Sequence, residues 1–201
     1  MIGFRTKVKQ LTSGEVQFGQ ILIADGNSGF TFTDISGLTS GVTTSSSFPL
    51  SPTTGALVYR TDVNMLFQYD GGRSKWVTVN EHSLSCGRAS VTAGSTTYMR
   101  VGDSTHSSTT GFKMKRNGTV LGASVVNNNT LTVSKNIEIR VNNSSVNKST
   151  LTILTGTTGT VATNFNLDFS VNDLIQVVAT PSTTGSALDN VIVTIDLAYR
   201  I

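Results

Sequence analysis

The stretch from Pro52 to Val79, PTTGALVYRTDVNMLFQYDGGRSKWVTV, decides the fold. It divides into three short apolar runs, Ala56–Arg60, Met65–Tyr69 and Trp76–Val79, separated by Thr61–Asn64 and Asp70–Lys75. Val58, Tyr59, Phe67, Tyr69, Trp76, Val77 and Val79 are aromatic or β-branched, the residue types that fit a pleated surface. Asp70-Gly71-Gly72 reads as a tight turn in which glycine supplies positive φ angles. The stretch therefore predicts a meander of three strands. A unit of this size buries too little apolar area to be stable by itself in water. Leu57, Tyr59, Leu66, Phe67 and Trp76 are accordingly expected at contacts between chains, as trimer-interface residues.

Working outward, the composition agrees with an all-β chain. Charged residues make up 13% and hydrophobic residues 37% of 201, with Ser, Thr, Asn and 19 Gly filling the difference. So little charge does not describe a solvating disordered chain, and many hydroxyl-bearing residues suit strands with wet outer faces. The net charge of +3 is not gathered into a basic run interleaved with aromatics, so nucleic acid is not an expected partner. Lys113 and Lys115 flank Met114, which places both lysines on one solvated strand face. No apolar run approaches the length of a membrane span, and the N-terminus has no leader-like apolar core. Cys86 is the one cysteine, so no intrachain disulfide forms and a buried thiol is expected.

Upstream of the meander, Gln17–Ala24 and Gly29–Ile35 read as a hairpin about the turn Asp25–Gly29. The Ser/Thr-rich segment 37–51 reads as a linker, or as an extended piece packed on a neighbouring chain. Downstream, residues 81–201 carry a longer β domain. Its candidate strands are Ser83–Ser90, Thr97–Val101, Gly111–Lys115, Thr119–Val126, Thr130–Val133, Asn136–Val141, Leu151–Thr155, Phe165–Phe169, Leu174–Ala179 and Asn190–Tyr199. Asn117-Gly118 between two alternating apolar runs is the strongest hairpin signal in the chain and predicts a type I′ turn. With no helical period, these strands imply a β-sandwich of jelly-roll type.

The phrase "TGALVYRTD…LFQYDGG…W" resembles a segment that recurs in fibre and appendage proteins of tailed bacteriophages. "LIADGNSGFTFTD" is similar to a phrase of phage-fibre shafts. The downstream layout, "FKMKRNGTVLGAS…IEIRVNN…FNLDFSVNDLIQVVAT…VIVTIDLAYRI", is similar to jelly-roll heads of phage fibres and decoration proteins, and more distantly to trimeric complement-like and tumour-necrosis-factor-like heads. The resemblance implies a short homotrimer in the virion, made in the bacterial host cytoplasm. It divides the chain into a virion-attachment segment (1–36), a linker (37–51), a meander stalk (52–80) and a head (81–201). Phe4, Phe18, Ile21, Phe30 and Phe32 are then the virion-docking candidates, and capsid or tail proteins the partners. Host-surface glycan is a further expected partner of the loops Asp103–Thr110, Asn142–Thr150 and Pro181–Asp189.

Catalytic chemistry is not expected. His82 and Cys86 lie four apart on one strand, about 13 Å at ~3.3 Å per residue, too far to share a metal. With His106 as the sole other histidine, a structural zinc site lacks ligands. No G-x-S-x-G elbow is present. Asp103, Glu138, Asp168, Asp173 and Asp196 are scattered acids rather than a glycosidase pair. Thr155–Gly159 lacks the lysine and following helix of a phosphate loop. No cofactor is implied. Four Asn-x-Ser/Thr matches, at Asn117, Asn128, Asn142 and Asn147, are what an Asn-, Ser- and Thr-rich chain produces by chance. The expectation is a non-enzymatic virion component; the alternative is a soluble lectin-like or tumour-necrosis-factor-like binding module.

Overall fold

Among the described residues, four sheets, antiparallel or mixed, account for the regular structure. The computed structural model describes residues 20–24, 30–34, 41–92, 94–180 and 187–201, the first two segments by backbone alone. β1 (Gln20–Ala24) and β2 (Phe30–Asp34) form the expected antiparallel hairpin, with Leu22 opposite Phe32 and Ile21 opposite Thr33. Phe4 and Phe18 lie outside the described residues.

The meander is present, and it has a fourth strand. β4 (Leu57–Arg60), β5 (Met65–Asp70) and β6 (Lys75–Thr78) pair antiparallel in sequence order. β3 (Val42–Ser45), inside the segment read as a linker, pairs parallel with β4. Just beyond it, Phe48 folds over the sheet, stacked on Trp76 at 4.8 Å and edge-on to Phe67 at 5.2 Å. The Arg60 guanidinium lies 4.5 Å from the Phe48 ring centre and is held by both carboxylate oxygens of Asp62. Val58 and Phe67 are thereby buried to 1% within the chain itself. The turn chemistry differs from expectation. Neither Gly71 nor Gly72 is left-handed; Ser74 is, at φ 56°. Gly71 is needed for space, because a Cβ there would strike the Thr54 side chain.

The remaining strands form a jelly-roll-like sandwich. One sheet runs β10 (Ser104–Thr105), β9 (Arg100–Val101), β7 (His82–Val91), β18 (Leu188–Tyr199), β12 (Gly118–Val126) and β15 (Gly159–Ala162), with β16 (Leu167–Phe169) also on β12. The other runs β11 (Phe112–Lys113), β17 (Leu174–Ala179), β13 (Lys135–Val141) and β14 (Lys148–Ile153), with β8 (Thr97–Tyr98) also on β17. Ile137, Ile139, Leu151, Ile153, Ile175 and Val177 from one sheet meet Val120, Val125, Val193, Ile195 and Leu197 from the other. Each fully buried aliphatic side chain of this kind contributes ~1.5–3 kcal/mol.

Three sequence expectations are corrected. Asn117-Gly118 is not a hairpin turn: β11 pairs with β17, and β12 with β15, β16 and β18, so the chain crosses between sheets there. Neither residue has positive φ. Glycine is required because a Cβ at 118 would stand 2.6 Å from the Ala198 carbonyl oxygen and 2.7 Å from Phe169 Cε2. Thr97–Val101 is not one strand: Met99, fully buried, donates its N–H to the Val177 carbonyl at 2.9 Å and passes the chain from one sheet to the other. Thr130–Val133 is a loop whose Leu131 plugs the core, its N–H on Thr157 and its carbonyl on Gly156.

A bulge in β12 sets which of its side chains face the meander. Val120 pairs with Leu197, but Gly122 pairs with Asp196, leaving Leu121 as the extra residue. The bulge shifts the side-chain alternation by one, so that Val120 on one side and Ala123 and Val125 on the other all enter the core. Leu121 is turned outward, against Val77 and Ala198.

Candidate functional site at the meander–sandwich junction

Arg73, in the turn between β5 and β6, reaches the place where the edge partner of β12 changes. Up to Val120 that partner is β16, and from Ala123 it is β15. Between these two ladders main-chain carbonyls are open to a further donor, the Leu121 carbonyl already accepting the Phe165 N–H at 2.9 Å. The Arg73 guanidinium takes three of them: Nε donates to Phe165 at 2.5 Å, and Nη2 to Leu121 at 2.8 Å and Thr163 at 2.9 Å. Nη1 donates to Asp70 Oδ2 at 2.5 Å, which fixes the fork. Beside it, Lys75 bonds Asp168 at 2.5 Å, and the Thr78 hydroxyl accepts the Tyr199 N–H at 3.0 Å. The junction is apolar at Val77–Leu121–Ala198 and ionic around it.

At the other end of β5 from Arg73, around Met65, the two parts leave an open cleft with two lobes. One, of about 400 Å³, lies between Val63, Met65, Asn117, Val171 and Ile201. The other, of about 440 Å³, lies between Asn64, Leu66, Thr78, Asn80 and His82. Met65, Arg116 and Tyr199 belong to both. The His82 and Tyr199 rings are 4.8 Å apart. No acidic side chain lines either lobe.

Of the five scattered acids, Asp168, Glu138, Asp173 and Asp196 are held in hydrogen bonds or ion pairs. Asp168 bonds Lys75 and Thr119, with Arg200 at 3.5 Å. Burial pushes its carboxyl up, but these hydrogen bonds and the Arg200 charge outweigh it and hold it below the ordinary carboxylate range. Glu138 behaves the same way: burial raises it, and Lys148 and Arg140 more than reverse that. A general acid needs the opposite shift. Asp173 caps a turn through the Ser170 N–H and takes the Asn142 amide; Asp196 accepts from the Ser83 hydroxyl. Asp103 is exposed.

Cys86 faces the core, where burial pushes its thiol up to about 12, while His82 is exposed on the same strand. Among the described residues no three His, Cys, Asp or Glu side chains converge as metal ligands. His106 is buried against Phe112, and its Nδ1 accepts the Val177 N–H at 3.3 Å. Protonating Nδ1 would turn two N–H groups on each other. Burial accordingly lowers its affinity for a proton below that of a free imidazole, ~6.5. Because the unfolded chain binds that proton more readily, stability is expected to fall as the pH drops below 6.5 towards the folded value. Urea midpoints at pH 7.5 and 5.5 check this, and His106→Gln is expected to shrink the difference.

Of the residues singled out from sequence, Leu57, Tyr59, Leu66 and Trp76 are half-buried and Phe67 is interior. Lys113 and Lys115 are exposed about a buried Met114, as their alternation implies. Arg73 and Phe48 carried no signal as functional residues, since their partners lie in distant or irregular segments.

No protein-family model matches this chain, and no curated protein does. Among solved structures it is similar to the PRD1 vertex protein P5 at 16% identity, over 76% of this chain and 86% of that one, with a TM-score of 0.39. At that level the role of the vertex protein does not transfer.

Proposed function

We propose that the chain is a non-enzymatic structural component of a tailed-phage virion, a short homotrimeric fibre or decoration protein. In this reading it docks by its N-terminal segment, through residues such as Ile21, Phe30 and Phe32, on capsid or tail proteins, and presents its sandwich outward to the host surface. The phage-fibre resemblance of the meander suggests it. One structural observation supports an assembly role: the outer face of the larger sheet exposes large apolar side chains in a row. Ile192 (55% exposed) stands directly opposite Val126 (50%), and Val161 (69%) lies opposite Ser124, the next residue on the same face of β12. Contiguous apolar side chains facing water across three strands fit burial between copies. The half-buried Leu57, Tyr59, Leu66 and Trp76 would extend such a contact.

Light scattering on the full chain tests the proposal. A trimer mass is expected, and Ile192→Lys is expected to lower it without unfolding the head, because Ile192 contributes little to the interior. A wild-type monomer across the micromolar range would sink the assembly reading and favour a soluble binding module.

A further inference from the structure

The two-lobed cleft beside β5 has a composition that its structural neighbours do not explain. Arg116, at its centre, is exposed and forms no ion pair with any described carboxylate. Its Nη1 rests on the Met65 sulfur at 2.7 Å, a weak acceptor that leaves most of the fork's donors unused. The other cation at the cleft, Arg200, is bonded to the Gly118 carbonyl and pairs with Asp168 behind the wall. The remaining polar wall is neutral, from the amides of Asn64, Asn80 and Asn117 and the Thr78 hydroxyl. The Asn64 and Asn117 oxygens already accept from Tyr59 and from the Val171 N–H, and the Thr78 hydroxyl is bonded to Asn80 and Tyr199. The aromatic wall is Tyr199 with His82. Each lobe has the volume of a small-ligand site.

We propose that this cleft binds an acidic saccharide, with the sugar carboxylate on Arg116 and a ring face on Tyr199. A planar guanidinium with no ion-pair partner among the described residues matches a carboxylate with two parallel hydrogen bonds. The amide NH2 groups of Asn64, Asn80 and Asn117 can donate to ring hydroxyls, and an aromatic face covers the apolar C–H side of a sugar. The absence of acid from the lining removes the repulsion that an anionic ligand would otherwise meet. An acidic peptide would need a longer cationic track than Arg116 and one already paired arginine supply. Binding here is independent of whether the chain assembles with virion proteins.

The chain contains two histidines, and they make the test internal. His82 lines the cleft, whereas His106 is buried in the sandwich. The full chain is titrated with methyl glucuronide, following both imidazole signals by NMR. Methyl glucoside, acetate and an acidic tetrapeptide serve as comparison ligands. The expected result is a saturable shift of His82 with His106 unmoved, at least tenfold weaker binding of glucoside and of acetate, and tenfold or greater loss in Arg116→Ala. Arg116→Lys should recover part of that loss. The His106 signal reports that each variant is folded. No saturable shift with glucuronide, equal binding of glucoside or acetate, tighter binding of the peptide, or unchanged binding in folded Arg116→Ala would each overturn the proposal. The trimer measurement is separate, so a failure here and a failure of the virion reading are distinguishable.

Discussion

Replacing Arg73 by alanine is expected to cost ~3–5 kcal/mol and to loosen the meander from the sandwich, the range seen when one partner of a buried charged network is removed. The side chain is 17% exposed, so water replaces little of what is lost. Carbonyls of Leu121, Thr163 and Phe165 lose a charged donor at the gap between β15 and β16. Asp70 loses its partner. Arg73→Lys is expected to recover only a minor part, because a single ammonium cannot reach three carbonyls and a carboxylate in the geometry of a planar fork. Urea unfolding followed by Trp76 emission is the suitable measurement, since Trp76 is the single tryptophan and lies in the meander. An unchanged midpoint and emission would mean that the Val77–Leu121–Ala198 contact alone holds the two parts together.

The second large effect is expected at Gly118. A methyl group there meets the Ala198 carbonyl oxygen at 2.6 Å and the Phe169 ring, and Phe169 is itself 2% exposed. Neither the backbone of β18 nor a closed core can yield cheaply, so Gly118→Ala is expected to destabilise by ~3 kcal/mol, at the upper end of overpacking effects. Gly72→Ala is the control: its Cβ would meet Asp70 Oδ1 at 3.4 Å, with no positive φ to strain, and is expected to cost under ~1 kcal/mol. Equal effects at the two positions would contradict the close packing of β12 on β18.

The Asn117-Gly118 pair shows where sequence reading stops. Two alternating runs around Asn-Gly have the local signature of a hairpin, and nothing local distinguishes that from a crossover. Here the preceding strand is claimed by β17 and the following one by β16 and β18, all more than 40 residues away. Asn117 is used differently too. Its side-chain oxygen accepts the Val171 N–H, and its main-chain oxygen accepts that of Arg200. Pairing partners are a long-range choice made by burial, and the turn residues follow it.

Local sequence was enough for the fold class and for the strongest strands. Leu174–Ala179 and the long C-terminal strand were legible because alternation and β-branched residues are properties of the strand alone. The three meander runs were legible for the same reason. Tertiary packing was needed to join Val42–Ser45 to the meander in parallel, to close the sheet with Phe48, and to turn an apolar residue out towards Val77 through the bulge at Leu121. The cleft around Arg116 is of the same kind: its walls come from Val63–Leu66, Asn80–His82, Arg116–Asn117 and the C-terminal strand. No window of the sequence holds them together, because the packing of one sheet against another sets their distance.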